Sequence, residues 1–65
     1  MLGMVEKIAK RPRRGKPYGF ISGYDGENYW FSLIGVENIN VGDEVSFKGR
    51  SNEKGFLAYD VKAIH

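Results

Sequence analysis

The side chains of this chain that can do chemistry are aromatic and cationic, and they lie close together. Tyr18 and Phe20 sit in the string Lys16-Pro17-Tyr18-Gly19-Phe20-Ile21, and Tyr29, Trp30 and Phe31 follow one another in Asn28-Tyr29-Trp30-Phe31-Ser32. Just ahead of them, Lys7, Lys10, Arg11, Arg13, Arg14 and Lys16 place six of the ten basic residues in one ten-residue window that holds no acid. An aromatic face stacks on any base, contributing about 1–3 kcal/mol per base. Lysine and arginine neutralise phosphates and release counterions, so binding of this kind weakens as salt rises. Aromatics bordered by cations therefore suit an unpaired polyanionic strand. A duplex gains little from them, since its bases are already stacked and no helix is expected here to enter a groove.

Other chemistry is thinly represented. There is no cysteine, which removes thiolate metal sites, a disulfide framework and a cysteine nucleophile. His65 is the only histidine and stands at the last position, and no carboxylate forms an evident acid/base pair with it. No metal-ligand spacing and no activated nucleophile can be found. The expectation is a protein without catalytic residues, cofactor or metal, and with no small-molecule substrate.

Size points the same way. A domain of 65 residues buries only about 60% of the surface its unfolded chain exposes, leaving little room for a deep cleft. The formal charge is +2, but outside the basic window the chain carries four basic and eight acidic side chains, a balance of −4. That asymmetry favours a polyanionic partner, although a basic run can also be a solvated loop or meet an acidic protein. No apolar run approaches the ~20 residues of a membrane span. Met1 to Glu6 lacks the basic-then-apolar layout of a secretory leader. A monomeric, cytoplasmic domain without membrane contact is expected.

The elements that must carry these residues read as strands. Apolar residues fall in short runs between turn formers, and glycine, at nine residues, is frequent. Strands are predicted over about Leu2 to Lys10, Tyr18 to Gly23, Glu27 to Ser32, Glu44 to Gly49 and Phe56 to Ile64. Arg11-Pro12-Arg13-Arg14-Gly15 is a loop, Asp25-Gly26 a hairpin turn, and Ser51-Asn52-Glu53-Lys54-Gly55 a further turn. On the last strand, alternation places Leu57, Tyr59 and Val61 on one face, with Asp60 and Lys62 on the other. Five short strands joined by such turns predict an all-β fold, a small five-stranded antiparallel barrel formed by residues 1–65 as a single domain.

Phase decides whether the aromatics are core or surface. Large aromatics commonly belong to a core. If Tyr18 and Phe20 point inward, however, Ile21 is left outside beside Gly19. In the opposite phase Ile21 is buried and Gly19 admits a close neighbour. Three consecutive aromatics cannot all face inward on a regular strand, so Trp30 is expected opposite Tyr29 and Phe31.

At these residues the chain resembles a cold-shock domain, an oligonucleotide/oligosaccharide-binding (OB) barrel. The family's first ribonucleoprotein motif, Lys-Gly-Phe-Gly-Phe-Ile, is similar to Lys16-Pro17-Tyr18-Gly19-Phe20-Ile21. Its second, Val-Phe-Val-His-Phe-Ser, is similar to Glu27-Asn28-Tyr29-Trp30-Phe31-Ser32. Gly42-Asp43-Glu44-Val45-Ser46-Phe47 resembles the family's Gly-x-x-Val-x-Phe strand, and Lys54-Gly55-Phe56-Leu57-Ala58-Tyr59-Asp60-Val61 its Gly-Pro-x-Ala-x-Asn-Val segment. The match runs over nearly the whole chain in order. It departs from the family at Val5-Glu6-Lys7-Ile8, which lacks an aromatic, at Asn28 in place of a phenylalanine, at Trp30 in place of a histidine, and in a longer loop carrying Arg11, Arg13 and Arg14.

The resemblance implies binding of single-stranded RNA or DNA in an RNA-chaperone-like or regulatory role. Tyr18, Phe20, Trp30 and Phe31 are the expected stacking platforms. Lys7, Lys16 and the arginines are the expected backbone contacts. Phe31 owes its place to the family pattern alone, because strict alternation buries it. Phe56 and Tyr59 could extend the surface, but each reads more naturally as core or rim. Fewer platforms and more charge imply weaker base preference and a steeper salt dependence than the family's usual pattern would give. The alternative is a small β-barrel interaction module for an acidic protein partner.

Overall fold

A computed structural model describes residues 1–36 and 38–64. His65 lies outside the described residues. The strands are β1 (Leu2–Ala9), β2 (Tyr18–Gly23), β3 (Asn28–Ser32), β4 (Glu44–Asn52) and β5 (Gly55–Ala63). They close into a barrel in the order β1-β2-β3-β5-β4, an all-β architecture of the small OB type. Closure removes the unpaired edges that a five-stranded open sheet would expose.

The expected five-stranded antiparallel barrel is present, with one parallel joint. β1–β2, β2–β3, β1–β4 and β4–β5 are antiparallel, whereas β3 and β5 run parallel and pair only at Trp30 and Leu57. Parity requires it: strands whose directions alternate around a closed ring must be even in number, so a ring of five has at least one parallel joint.

The phase of β2 follows Ile21. Ile21 is fully buried, Gly19 is buried beside it, and Tyr18 and Phe20 face outward. A Cβ on Gly19 would lie 2.7 Å from the Phe31 ring and 2.6 Å from the Lys7 carbonyl oxygen, so only glycine lets the aromatic seat there. On β3, Tyr29 and Phe31 point inward with 3% and 0% exposure. They meet Val5, Ile21, Val45, Phe47 and Ala58 in the core. Ile39, in the connection between β3 and β4, joins this cluster, with Ile8, Leu33 and Val36 packed against it.

Two bulges reset the alternation. Val5 pairs with Ile21 but Lys7 with Phe20, so Glu6 is an extra residue on β1. Counting by twos from Val5 would send Lys7 into the core. The bulge instead turns it outward and lets Ile8 pack inward. On β5, Ser46 pairs with Lys62 and Lys48 with Tyr59, leaving Val61 and Asp60 opposite Phe47 alone. Asp60 adopts φ 55°, a left-handed conformation that aspartate tolerates better than most residues. The face expected for Leu57, Tyr59 and Val61 is therefore broken. Val61 packs on the core, Ala58 is buried, and Tyr59 and Leu57 lie on the outer side. β4 also runs on to Asn52, and with Asn52 still paired to Gly55 the turn before β5 tightens to Glu53-Lys54.

Candidate nucleic-acid interface

Cross-strand pairing lays one row of outward side chains across all five strands. Lys7 stands opposite Phe20, Phe20 opposite Trp30, Trp30 beside Leu57, and Leu57 opposite Arg50. Paired residues share a face, so this row is an aromatic and aliphatic strip with a cation at each end. Tyr18 belongs to the next row, between Ala9 and Ser32. Its ring lies 6.3 Å from that of Trp30 at an interplanar angle of 17°. Its contact with Phe20 is edge-on, 5.8 Å between centroids. Trp30 is 39% exposed, and Tyr18 and Phe20 are half-buried. Three of the four expected platforms thus form one surface.

Phe31 does not join them. Fully buried beneath Gly19, it has no face to offer a ligand, which removes it from the stacking set. The family pattern suggested otherwise, but regular alternation on β3 controls its direction.

The arginine loop joins β1 to β2 and leaves from the Ala9–Tyr18 pair, at one end of the aromatic surface. Arg11, Arg13, Arg14 and Lys16 are all exposed. Among the described residues the one ion pair is Lys48–Asp60 at 3.5 Å, so no described carboxylate neutralises the loop.

On the far side of Trp30 the surface deepens into an open groove of about 640 Å³. Phe20, Trp30, Phe56 and Leu57 form its apolar walls, and Asn28, Asn52 and Lys54 its polar rim. Phe56, expected in the core or at the rim, is 40% exposed and rests edge-on against Tyr29, 5.5 Å between centroids. Sequence reasoning allowed Phe56 to extend the surface while favouring a core or rim position for it, and it missed Arg50. Both lie on the β4–β5 hairpin, whose length sets which residues reach the groove.

The β2–β3 turn holds the groove's foundation. Tyr29 Oη donates to Asp25 Oδ2 at 2.5 Å, and the Glu27 amide donates to Asp25 Oδ1 at 3.1 Å. The tyrosine hydroxyl and the Glu27 amide hold the Asp25 carboxyl below its ordinary range. The same hydrogen bond, helped by burial and by the charge on Asp25, pushes the Tyr29 hydroxyl up to about 12. A lowered carboxyl contributes stability at neutral pH that is lost as pH falls through its native value. A raised tyrosine contributes stability below its ordinary value near 10 that is lost as pH rises towards 12. Denaturant titrations across pH should therefore show losses on both flanks. Tyr29→Phe should be less stable at neutral pH and flatter on each flank; an unaltered pH profile would show that the bond contributes nothing.

The described residues include no group of three histidine, cysteine, aspartate or glutamate side chains able to hold a metal. No family model matches the chain, and no curated protein matches it.

Proposed function

We propose that this domain binds single-stranded nucleic acid, RNA or DNA, as a divergent cold-shock-like module with an RNA-chaperone-like or regulatory role. The observation that carries the reading is the strip from Lys7 through Phe20, Trp30 and Leu57 to Arg50, with Tyr18 alongside. Bases stack on the rings, while Lys7, Lys16, Arg50 and the arginine loop meet the phosphates. Stacking tolerates any sequence, and an exposed strip on a small barrel releases its ligand readily, which suits transient binding. A monomer in the cytoplasm fits this role.

Trp30 is the only tryptophan and reports directly on the strip. Short single-stranded oligonucleotides should quench its emission at low salt, and added salt should reverse the quenching. Trp30→Ala, followed by anisotropy of a labelled oligonucleotide, should weaken binding about 5- to 150-fold. Emission untouched by oligonucleotide at low salt would remove the proposal. An acidic peptide that quenches it in the oligonucleotide's place would support the protein-interaction alternative.

A further inference from the structure

We infer that the outer face of the β4–β5 hairpin around Tyr59 is a further nucleotide subsite, onto which a single strand continues after crossing Trp30 and Leu57. The inference rests on the single-strand binding proposed above and adds the far end of the track, which sets how long a strand the domain holds.

The hairpin repeats the chemistry of the first surface. Tyr59 is 49% exposed and stands opposite Lys48. Leu57, on the same outer face, stands opposite Arg50 and beside Trp30. Tyr59 is therefore one row on from the end of the strip, and a strand reaches it without leaving the sheet surface. Lys62, opposite Ser46, adds a further exposed cation. Lys48, Lys62 and Ser46 line an open hollow of about 260 Å³, together with Asp60, Met1 and Phe47. An exposed ring with a cation-lined hollow beside it offers a base its stacking face and the adjoining phosphate its counter-charge.

The bulge in β5 leaves the tyrosine outside. Ala58 is buried and Val61 packs on the core, yet strict alternation would send them to opposite faces. Asp60, at φ 55°, supplies the extra residue that seats both while Tyr59 stays at the surface. A residue other than glycine held in the left-handed region is strained, and such strain gathers where ligands are met. Here it falls between the exposed ring and the hollow.

Asp60 is also the one group in the hollow that opposes an anion. Its carboxylate lies 3.5 Å from Lys48 Nζ, with both side chains largely exposed. Lys62 and Arg50 make no ion pair among the described residues, so Lys48, Lys62 and Arg50 together outweigh the single carboxylate. Asp60 weakens the subsite without closing it.

Oligothymidylates of about 4 and about 16 nucleotides span the site sizes of a single OB barrel. Titrated by anisotropy at low salt, the short one occupies Tyr18, Phe20 and Trp30, and the long one reaches Tyr59 as well. Tyr59→Ala should weaken the long oligomer about 5- to 150-fold and leave the short one unchanged. Asp60→Asn should tighten the long oligomer alone, about two- to fivefold. Asparagine keeps the left-handed conformation while removing the charge beside Lys48. If Tyr59→Ala binds the long oligomer as the unaltered chain does, or weakens both alike while keeping its circular dichroism, the subsite is wrong and single-strand binding stands. An Asp60→Asn chain that holds the long oligomer no more tightly overturns the subsite too, since no phosphate then enters the hollow. If neither oligomer binds the unaltered chain at low salt, single-strand binding itself is wrong.

Discussion

Phe31→Ala is expected to leave little of the chain folded. The ring has 0% exposure, seats on the bare backbone of Gly19 and is among the largest fully buried side chains. Truncating a buried phenylalanine typically costs about 3–5 kcal/mol. Typical stabilities per residue would give a chain of this length roughly 3–10 kcal/mol in total. The loss is therefore comparable with the whole. Urea unfolding followed by far-ultraviolet circular dichroism gives the measurement. Phe31→Leu, which keeps most of the volume, should fold with reduced stability and bind oligonucleotide as the unaltered chain does. If Phe31→Ala instead melts normally and loses only its ligand, the ring reaches the surface and its placement in the core is wrong.

Replacing Arg11, Arg13 and Arg14 together by glutamine should produce the largest change in salt response. For a single strand, the slope of log affinity against log salt is about −0.7 for each phosphate neutralised. Loss of three contacts should make the slope shallower by about 2. Binding should weaken most at low salt and converge with the unaltered chain as salt rises. Stability should hardly move, because the three side chains are exposed and the one ion pair among the described residues lies elsewhere. Trp30→Ala should do the reverse, shifting affinity at every salt concentration with the slope preserved. A triple variant with the original slope would place the loop away from the phosphates, and identical behaviour of the two variants would end the division between stacking and charge.

Much of the barrel could be read from the chain because its signals were local. Ile21 and Gly19 set the phase of β2, and three consecutive aromatics forced Trp30 away from Tyr29 and Phe31. Asp25-Gly26 marked a hairpin, and its turn pins the core residue Tyr29. The features that escaped depend on partners distant in sequence. Nothing in Val5-Glu6-Lys7-Ile8 signals a bulge, since Glu6 becomes an extra residue only once Lys7 pairs with Phe20. Asp60 resets the face of β5 in the same way, opposite Phe47. Ser51 and Asn52 look like turn residues, yet their pairing with Phe56 and Gly55 carries the hairpin outward and brings Phe56 to the groove. A family resemblance likewise could not tell that Phe31 ends up beneath a glycine.

The parallel joint between β3 and β5 is the shortest seam of the barrel. It is one residue pair long, whereas the antiparallel joint of β4 with β5 runs from Val45 and Ala63 to Asn52 and Gly55. Thermal opening should start where the ladder is shortest, as local unfolding follows the weakest set of backbone bonds. Trp30 and Leu57 stand on opposite banks of that seam, so a base stacked across both, as proposed, would act as a clasp. Occupancy would then slow amide exchange along β3 and β5 first, and the domain would be most firmly closed while it holds a strand.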